Sequence, residues 1–198
     1  MTESSRAPAH RRSLQFDVYD DDPGLLRVVA RLRDERPWAQ DPRNLPVVHD
    51  LELIVSVGRD DLVIRSATAV MNTYPHAECP FITGAYRRLE GLAVARGYTR
   101  ALRERLGGPA GCTHLSELAR AMGPVVLQSA FSAHARGMVA GTEASDDGPG
   151  DPRVTLAFLR DTCHVWAEDG VGMEKLRRGW RPGTTAYPIP PLAEFPEP

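Results

Sequence analysis

The residues of this sequence best suited to metal chemistry are its three cysteines and six histidines. Most of them fall in four short segments that lie far apart along the chain: His49-Asp50, 76–79, Cys112-Thr113-His114 and Cys163-His164. Each segment falls at a strand start, a loop or a predicted helix start, where side chains from distant sequence can meet at one edge of a fold. Thiolate, imidazole and carboxylate groups are the ligands that zinc and iron take in proteins.

Two of the cysteines each precede a predicted helix. Cys79 is followed by Pro80, a residue favoured at the first helical position, and Cys112 follows a Gly-Gly-Pro-Ala-Gly stretch. A thiolate at a helix N-terminus is stabilised by unpaired amides and by the helix dipole, and the thiolate is the form that binds metals. Both cysteines are therefore predicted ligands, although a small buried apolar side chain is the commoner role for cysteine.

The other candidate ligands are His49, Asp50 and His114. His49 and Asp50 are adjacent in a predicted strand, so their side chains point to opposite faces and only one can reach the site; Asp50 is favoured for the acidic role. The sequence thus predicts a single Zn or Fe ion held by His49 or Asp50 together with Cys79, Cys112 and His114. Asp50 or His114 is the predicted catalytic base where it is not a ligand.

The pair Cys163-His164 is predicted to pack rather than to bind. Phe158, Leu159, Cys163 and Trp166 recur at helical spacing, which indicates an amphipathic helix that buries Cys163. The sequence has no phosphate-binding glycine loop, dinucleotide fingerprint, nucleophile elbow or paired Cys-x-x-Cys motif.

The elements that must position these residues begin with two predicted hairpins. Apolar residues alternate over 14–18 and 26–32, and again over 47–57 and 62–70, with turn residues between the members of each pair. The pattern then changes to helical spacing in segments that cover 80–92, 99–106, 115–136, 153–166 and 172–178. A kink or split is expected at Gly123-Pro124. The predicted fold class is α+β, an antiparallel sheet of about four strands with three or more helices packed on one face.

Composition divides the chain into five predicted segments. These are a disordered tail (1–13), an α+β metal-binding core (14–140), a flexible linker (141–152), a C-terminal helical segment packing on the core (153–184) and an extended Pro-rich tail (185–198).

The net charge and the number of cysteines indicate which binding partners and which cellular compartment to expect. A formal net charge of -2 and a pI of about 6.3 give no bulk field to attract nucleic acid or an anionic membrane. The N-terminal residues lack the apolar run of a signal peptide or membrane anchor. The number of cysteines, three, is odd, which favours free thiols in a reducing compartment over a set of disulfides. The expected location is the cytoplasm, and the expected partner is a small-molecule substrate, with a homodimer left open.

Four motifs occur in order along the chain: VVHDLELIVSV, NTYPHAECPFITGAYRRLEGL, LGGPAGCTHLSEL and DTCHVW. On these motifs the sequence resembles the bacterial domain-of-unknown-function family 2889, over roughly residues 12–180. This resemblance implies no assigned reaction.

The order of ligands and elements is also similar, more distantly, to that of iron-sulfur scaffold proteins of the IscU/NifU type. His49-Asp50 opens a strand, Cys79 precedes a helix, and Cys112 and His114 precede a later helix. This likeness implies a SufE/NifU-like fold. The chain has fewer thiolates than the scaffold proteins and more imidazole or carboxylate, which favours one Zn²⁺ or Fe²⁺ ion over a cluster.

The leading functional hypothesis from the sequence is a metalloenzyme. Two cysteines and one His or Asp would hold the ion, and the fourth position would bind water or a small organic substrate. The ion would act as a Lewis acid in hydrolysis, elimination or cyclisation. The alternatives are a non-enzymatic metal or sulfur carrier, and a closed structural zinc site with His114 as the fourth ligand.

Overall fold

The computed structural model describes residues 7–20, 22, 24–140, 160–180 and 188–196. The chain divides into two compact units, Met1–Phe131 and Ser132–Pro198. The predicted linker 141–152 lies outside the described residues, as does the first half (153–159) of the predicted helix 153–166. No helix in the described ranges combines the length and the apolar character needed to cross a membrane.

The first unit is built on a four-stranded antiparallel sheet in the order β1-β2-β3-β4. The two predicted hairpins are the pairs β1-β2 and β3-β4, and the pairing of β2 with β3 joins them into one sheet. The strands are β1 Arg11–Tyr19, β2 Leu25–Glu35, β3 Val47–Gly58 and β4 Ile64–Thr73. β1 begins at Arg11, inside the stretch predicted as a tail, because Arg11 and Arg12 pair with Glu35 and Asp34 of β2.

One face of the sheet forms the core because β2 and β3 alternate apolar and polar residues. The inward side chains are at most 1% exposed: Leu26, Val28, Ala30, Leu32, Leu51, Leu53, Val55 and Val57. The opposite face carries cross-strand ion pairs, Arg31 with Glu52 and Arg33 with Asp50. Each fully buried aliphatic side chain contributes roughly 1.5–3 kcal/mol, so this alternation determines which face the helices cover.

Helices cover the apolar face. They are a 3-10 segment Cys79–Leu89, helix α1 Tyr98–Leu106 and helix α2 Thr113–Ala140. Buried leucines of α1 and α2, among them Leu102, Leu106, Leu115 and Leu118, join the sheet residues in one core. The predicted α+β class is confirmed.

The segment predicted as a helix over 80–92 is a 3-10 helix that ends at Leu89. Its two buried residues, Tyr86 and Leu89, are three apart, and a 3-10 helix with three residues per turn places both on one side.

Helix α2 is not split at Gly123-Pro124, since it runs unbroken from Thr113 to Ala140. Pro124 lies at an exposed position, where its ring meets no core side chain of the described sheet. Gly123 lies against the core instead, where an added Cβ would be 3.5 Å from Cδ1 of Tyr98. The helix therefore tolerates both residues, because Pro124 is on its exposed side and Gly123 is on the side that packs closely against Tyr98.

The described part of the second unit contains helix α3 Val171–Arg177, close to the predicted 172–178. Its own small core consists of Met173, Leu176 and Trp180, with Trp166, Ile189 and Phe195 packed against them. The predicted burial of Cys163 on a helix is wrong: its backbone is extended and its side chain is exposed. Only a short 3-10 turn, His164–Trp166, follows it.

The start of α2 is fixed by Tyr86, which is fully buried. Its hydroxyl donates to the carbonyl oxygen of Cys112 at 2.8 Å and accepts from the amide of Cys112 at 3.0 Å. The hydroxyl of Ser116 lies 2.8 Å from the same oxygen of Tyr86. Burial raises the pKa of Tyr86, so the phenol stays neutral and can donate. This contact sets where His114, two residues after Cys112, enters the fold.

We expect Tyr86→Phe to lower the free energy of unfolding by about 1–3 kcal/mol, because it removes the acceptor of the Cys112 amide and the partner of the Ser116 hydroxyl in a half-buried site. The carbonyl of Cys112 keeps its hydrogen bond from the amide of Ser116. Urea denaturation followed by circular dichroism measures the change. Tyr74→Phe is the matched control: Tyr74 is 40% exposed, so its loss should stay within about 0.5 kcal/mol. Equal losses in the two variants would contradict the anchoring role of Tyr86.

Candidate metal centre

Three polar residues lie side by side on adjacent strands at one end of the core face. Antiparallel pairing places Arg12 of β1 opposite Asp34 of β2, and Asp34 opposite His49 of β3. Because alternate residues share a face, Asp34 continues the inward row after Leu32, and His49 precedes Leu51 in the inward row of β3. A bulge lies directly beyond this pair, where Glu35 pairs with Val47 and the residue between Val47 and His49 has no opposite residue.

His114, in the first turn of α2, lies over this end of the sheet. The ring centroids of His49 and His114 are 3.8 Å apart. Nδ1 of His49 is 2.9 Å and Nε2 of His114 is 3.9 Å from the same oxygen, Oδ2 of Asp34. A carboxylate and two imidazoles from three separate elements therefore converge.

Asp34, His49 and His114 each offer one ligand atom, and these atoms all lie within 4.8 Å of one another. Ligands about 2.1 Å from a common ion lie about 3.0–3.5 Å apart in octahedral or tetrahedral geometry. The measured 2.9 and 3.9 Å fall on either side of that range. The spacing of the three atoms is therefore near that of a three-ligand site, with the pair of imidazole nitrogens bounded at 4.8 Å.

Asp34 is a buried charge, with its side chain only 1% exposed. Arg12 donates to it twice, from Nε to Oδ1 and from Nη2 to Oδ2, each at 2.7 Å, and Nε2 of His10 lies 3.1 Å from Oδ1. Burial, the largest single influence, opposes ionisation. The hydrogen bonds from Arg12 and His49 and the charge of Arg12 together outweigh it and hold the pKa of Asp34 well below its usual 3.8.

The environment of His114 favours the neutral imidazole. Burial lowers the pKa of His114, and the neighbouring His49 and Arg12 lower it further, against the opposing effects of Asp34 and Glu117. A neutral imidazole has the lone pair that a metal ion needs.

The structure brings together two of the sequence-predicted residues, His49 and His114. Cys112 lies beside them, with its Sγ 3.9 Å from Nδ1 of His114, the ring nitrogen on the far side from the one facing Asp34. Cys79 starts the 3-10 segment and is half-buried. Neither cysteine belongs to the group of three, and their role as ligands stays a prediction.

Asp50 does not join the group either. Its neighbour His49 faces the core side, so Asp50 points to the opposite face, where Nη1 of Arg33 donates to it at 2.8 Å. Of the two predicted residues, His49 and not Asp50 belongs to the group of three, and the carboxylate of that group is Asp34. The catalytic role predicted for Asp50 stays a prediction.

Sequence reasoning missed Asp34, but a signal was present. The alternation Leu26, Val28, Ala30, Leu32 fixes the inward face of β2, and Asp34 is the next residue on that face. A carboxylate on the buried side of a strand must be paired with a cation, a hydrogen-bond donor or a metal, so its position indicates a buried polar site.

A family model described as "Protein of unknown function (DUF2889)" matches residues 10–128. The chain belongs to this family. The DUF2889 match contains the whole sheet and all three residues of the candidate centre. Comparison with curated proteins and with solved structures finds no match. The IscU/NifU likeness and the SufE/NifU-like fold therefore stay predictions.

We expect Asp34→Asn to lower the free energy of unfolding of the metal-free protein at pH 7 by about 1–3 kcal/mol, because charged hydrogen bonds from Arg12 are weakened. The pKa of Asp34 is lower in the folded protein than its value of 3.8 in the unfolded chain. The Asp34 carboxylate therefore stabilises the fold at pH values above 3.8, and this stabilisation is lost as the pH falls through the pKa of the folded state. The difference between wild type and variant should therefore shrink below about pH 4. Urea denaturation with a chelator, from pH 7 to pH 3, measures it.

Asp50→Asn provides the control, since Asp50 pairs with an arginine on the exposed face of the same sheet. Its cost should be about 0–1 kcal/mol. If the difference in free energy of unfolding between wild type and Asp34→Asn stayed constant from about pH 7 to about pH 3, the ionised Asp34 would not be the source of the stabilisation.

Proposed function

We propose that Asp34, His49 and His114 bind a single divalent ion, Zn²⁺ or Fe²⁺, and that water and a small organic substrate take its remaining coordination positions. The observation that carries the proposal is the convergence of the three ligand atoms within 4.8 Å of one another. They come from β2, β3 and α2, so only the folded chain assembles the site. The protein would then be a metal-dependent enzyme that uses the ion as a Lewis acid.

The donor set suits this assignment. Two histidines and one carboxylate occur in catalytic zinc sites and in non-haem iron enzymes, where three protein ligands leave positions for water and substrate. A bound ion of this kind polarises a carbonyl or activates water near neutral pH. The donor set therefore favours an open catalytic site over a closed structural one, and an ion in such a site supports hydrolysis, elimination or cyclisation.

Neighbouring groups would orient the ligands. A His114 that binds metal through Nε2 keeps its proton on Nδ1, and this N–H can donate a hydrogen bond to the Sγ of Cys112. Arg12 holds the Asp34 carboxylate at both oxygens and so fixes its plane. The ion would take the place of the proton shared by His49 and Asp34, whose atoms are 2.9 Å apart.

Zinc binding by purified, untagged protein tests the proposal. We expect one zinc per wild-type chain by isothermal titration calorimetry and metal analysis. Asp34→Ala, His49→Ala and His114→Ala should each lose more affinity than the roughly 10–100-fold caused by removing an outer-shell partner. Competition with Fe²⁺ under anaerobic conditions identifies the preferred ion.

Two matched controls separate this ligand set from the sequence-predicted one. Asp50→Ala removes a carboxylate next to His49 but on the other face, and should keep zinc. The double variant Cys79→Ser/Cys112→Ser should also keep zinc, with affinity reduced by at most the roughly 10–100-fold expected from loss of an outer-shell partner. Zinc lost from the double variant but kept in Asp34→Ala, with circular dichroism showing both folded, would overturn the assignment.

A further inference from the structure

A cavity of about 320 Å³ lies between α1 and the start of α2. Its volume is at the lower end of the roughly 300–1,000 Å³ range of small-molecule pockets. Its walls combine two buried leucines, Leu102 and Leu106, with polar and charged groups. The remaining lining consists mainly of Arg103, Cys112, Thr113, Ser116, Glu117 and Arg120.

The charges in this cavity are unbalanced. The carboxylate of Glu117 receives a hydrogen bond from Nη1 of Arg12 at 2.5 Å, so its charge is already offset. The guanidinium groups of Arg103 and Arg120 have no ion pair or side-chain hydrogen bond within the described residues. Arg100, one turn before Glu104 on the same helix, does have a carboxylate partner at 2.8 Å. Two exposed arginines that line the cavity therefore have no carboxylate partner of their own in the described part of the chain and are available to an anion.

The cavity adjoins the candidate metal centre through Cys112. This residue lines the cavity, and its Sγ is 3.9 Å from Nδ1 of His114. Glu117 gives a second connection, because the Arg12 side chain that it contacts also holds Asp34. Asp34, His49 and His114 do not themselves line the cavity, so Cys112 lies between a molecule bound there and the proposed ligand His114.

We propose that this cavity binds a small organic carboxylate. Arg103 and Arg120 hold the carboxylate, since the planar guanidinium fork matches its two oxygens. Leu102 and Leu106 contact the apolar part of the molecule, which inorganic anions lack. Binding itself needs no metal; the role of this carboxylate as the substrate rests on the proposed function.

Benzoate is a suitable probe, and benzamide has nearly the same shape without the charge. We expect benzoate, added to ¹⁵N-labelled metal-free protein, to shift the backbone amide signals of Gly107 and Gly108 in a saturable way. Benzamide and inorganic phosphate should bind more weakly. Arg103→Ala and Arg120→Ala should each weaken benzoate binding by about tenfold, the scale of one charge-assisted hydrogen bond.

Arg100→Ala is the matched control, because Arg100 is on the same helix, does not line the cavity, and has a side chain that is 85% exposed. It should leave benzoate affinity unchanged. The proposal is overturned if benzoate leaves the cavity amides unshifted, if benzamide or phosphate binds as tightly, or if the Arg103→Ala/Arg120→Ala double variant keeps wild-type affinity.

The same samples separate this proposal from the proposed function. Asp34→Ala should lose zinc and keep benzoate, whereas Arg103→Ala should keep zinc and lose benzoate affinity. A wild-type protein that binds benzoate but not zinc would defeat the metal centre and leave the carboxylate pocket standing. Zinc binding without benzoate binding would do the reverse.

Discussion

A buried carboxylate is the constraint on which much of this structure depends. Taking the Asp34 charge out of water costs several kcal/mol unless it is paired and fully hydrogen-bonded. Arg12 meets that need from β1, which explains why the edge strand must pair with β2 in its observed register. The same arginine reaches Glu117 on α2, so one guanidinium ties the edge of the sheet to the helix that covers it.

The pairing that stabilises Asp34 also affects what the proposed ion could do. A carboxylate that shares its charge with Arg12 donates less negative charge to a metal than a free one would, and the two imidazoles add none. Such a site would leave the ion more positive and thus a stronger Lewis acid, at the expense of affinity. A dedicated storage or structural site would be expected to use more anionic ligands, as the thiolate-rich structural zinc sites do.

Much of the fold was predictable, because sheet and helix periods are local properties of the sequence. The alternation through Val28 and Leu53 correctly predicted four antiparallel strands with one covered face, although not the order of the strands in the sheet. Two of the three residues of the candidate centre were predictable, since His49 and His114 stand out by residue type. Asp34 becomes their partner only through strand register, which alternation alone does not fix. The burial predicted for Cys163 was wrong because helical spacing in a sequence does not ensure that the backbone is helical there.

The bulge at Val48 has a consequence for how this family can vary. Because the unpaired residue lies between the 36–46 loop and His49, insertions or deletions in that loop can be absorbed at the bulge without rotating the histidine. Between His49 and Leu51 the pairing with β2 is regular, so gaining or losing one residue there would turn the imidazole to the solvent face. Tolerance to changes in length should therefore change abruptly at this one position of the chain.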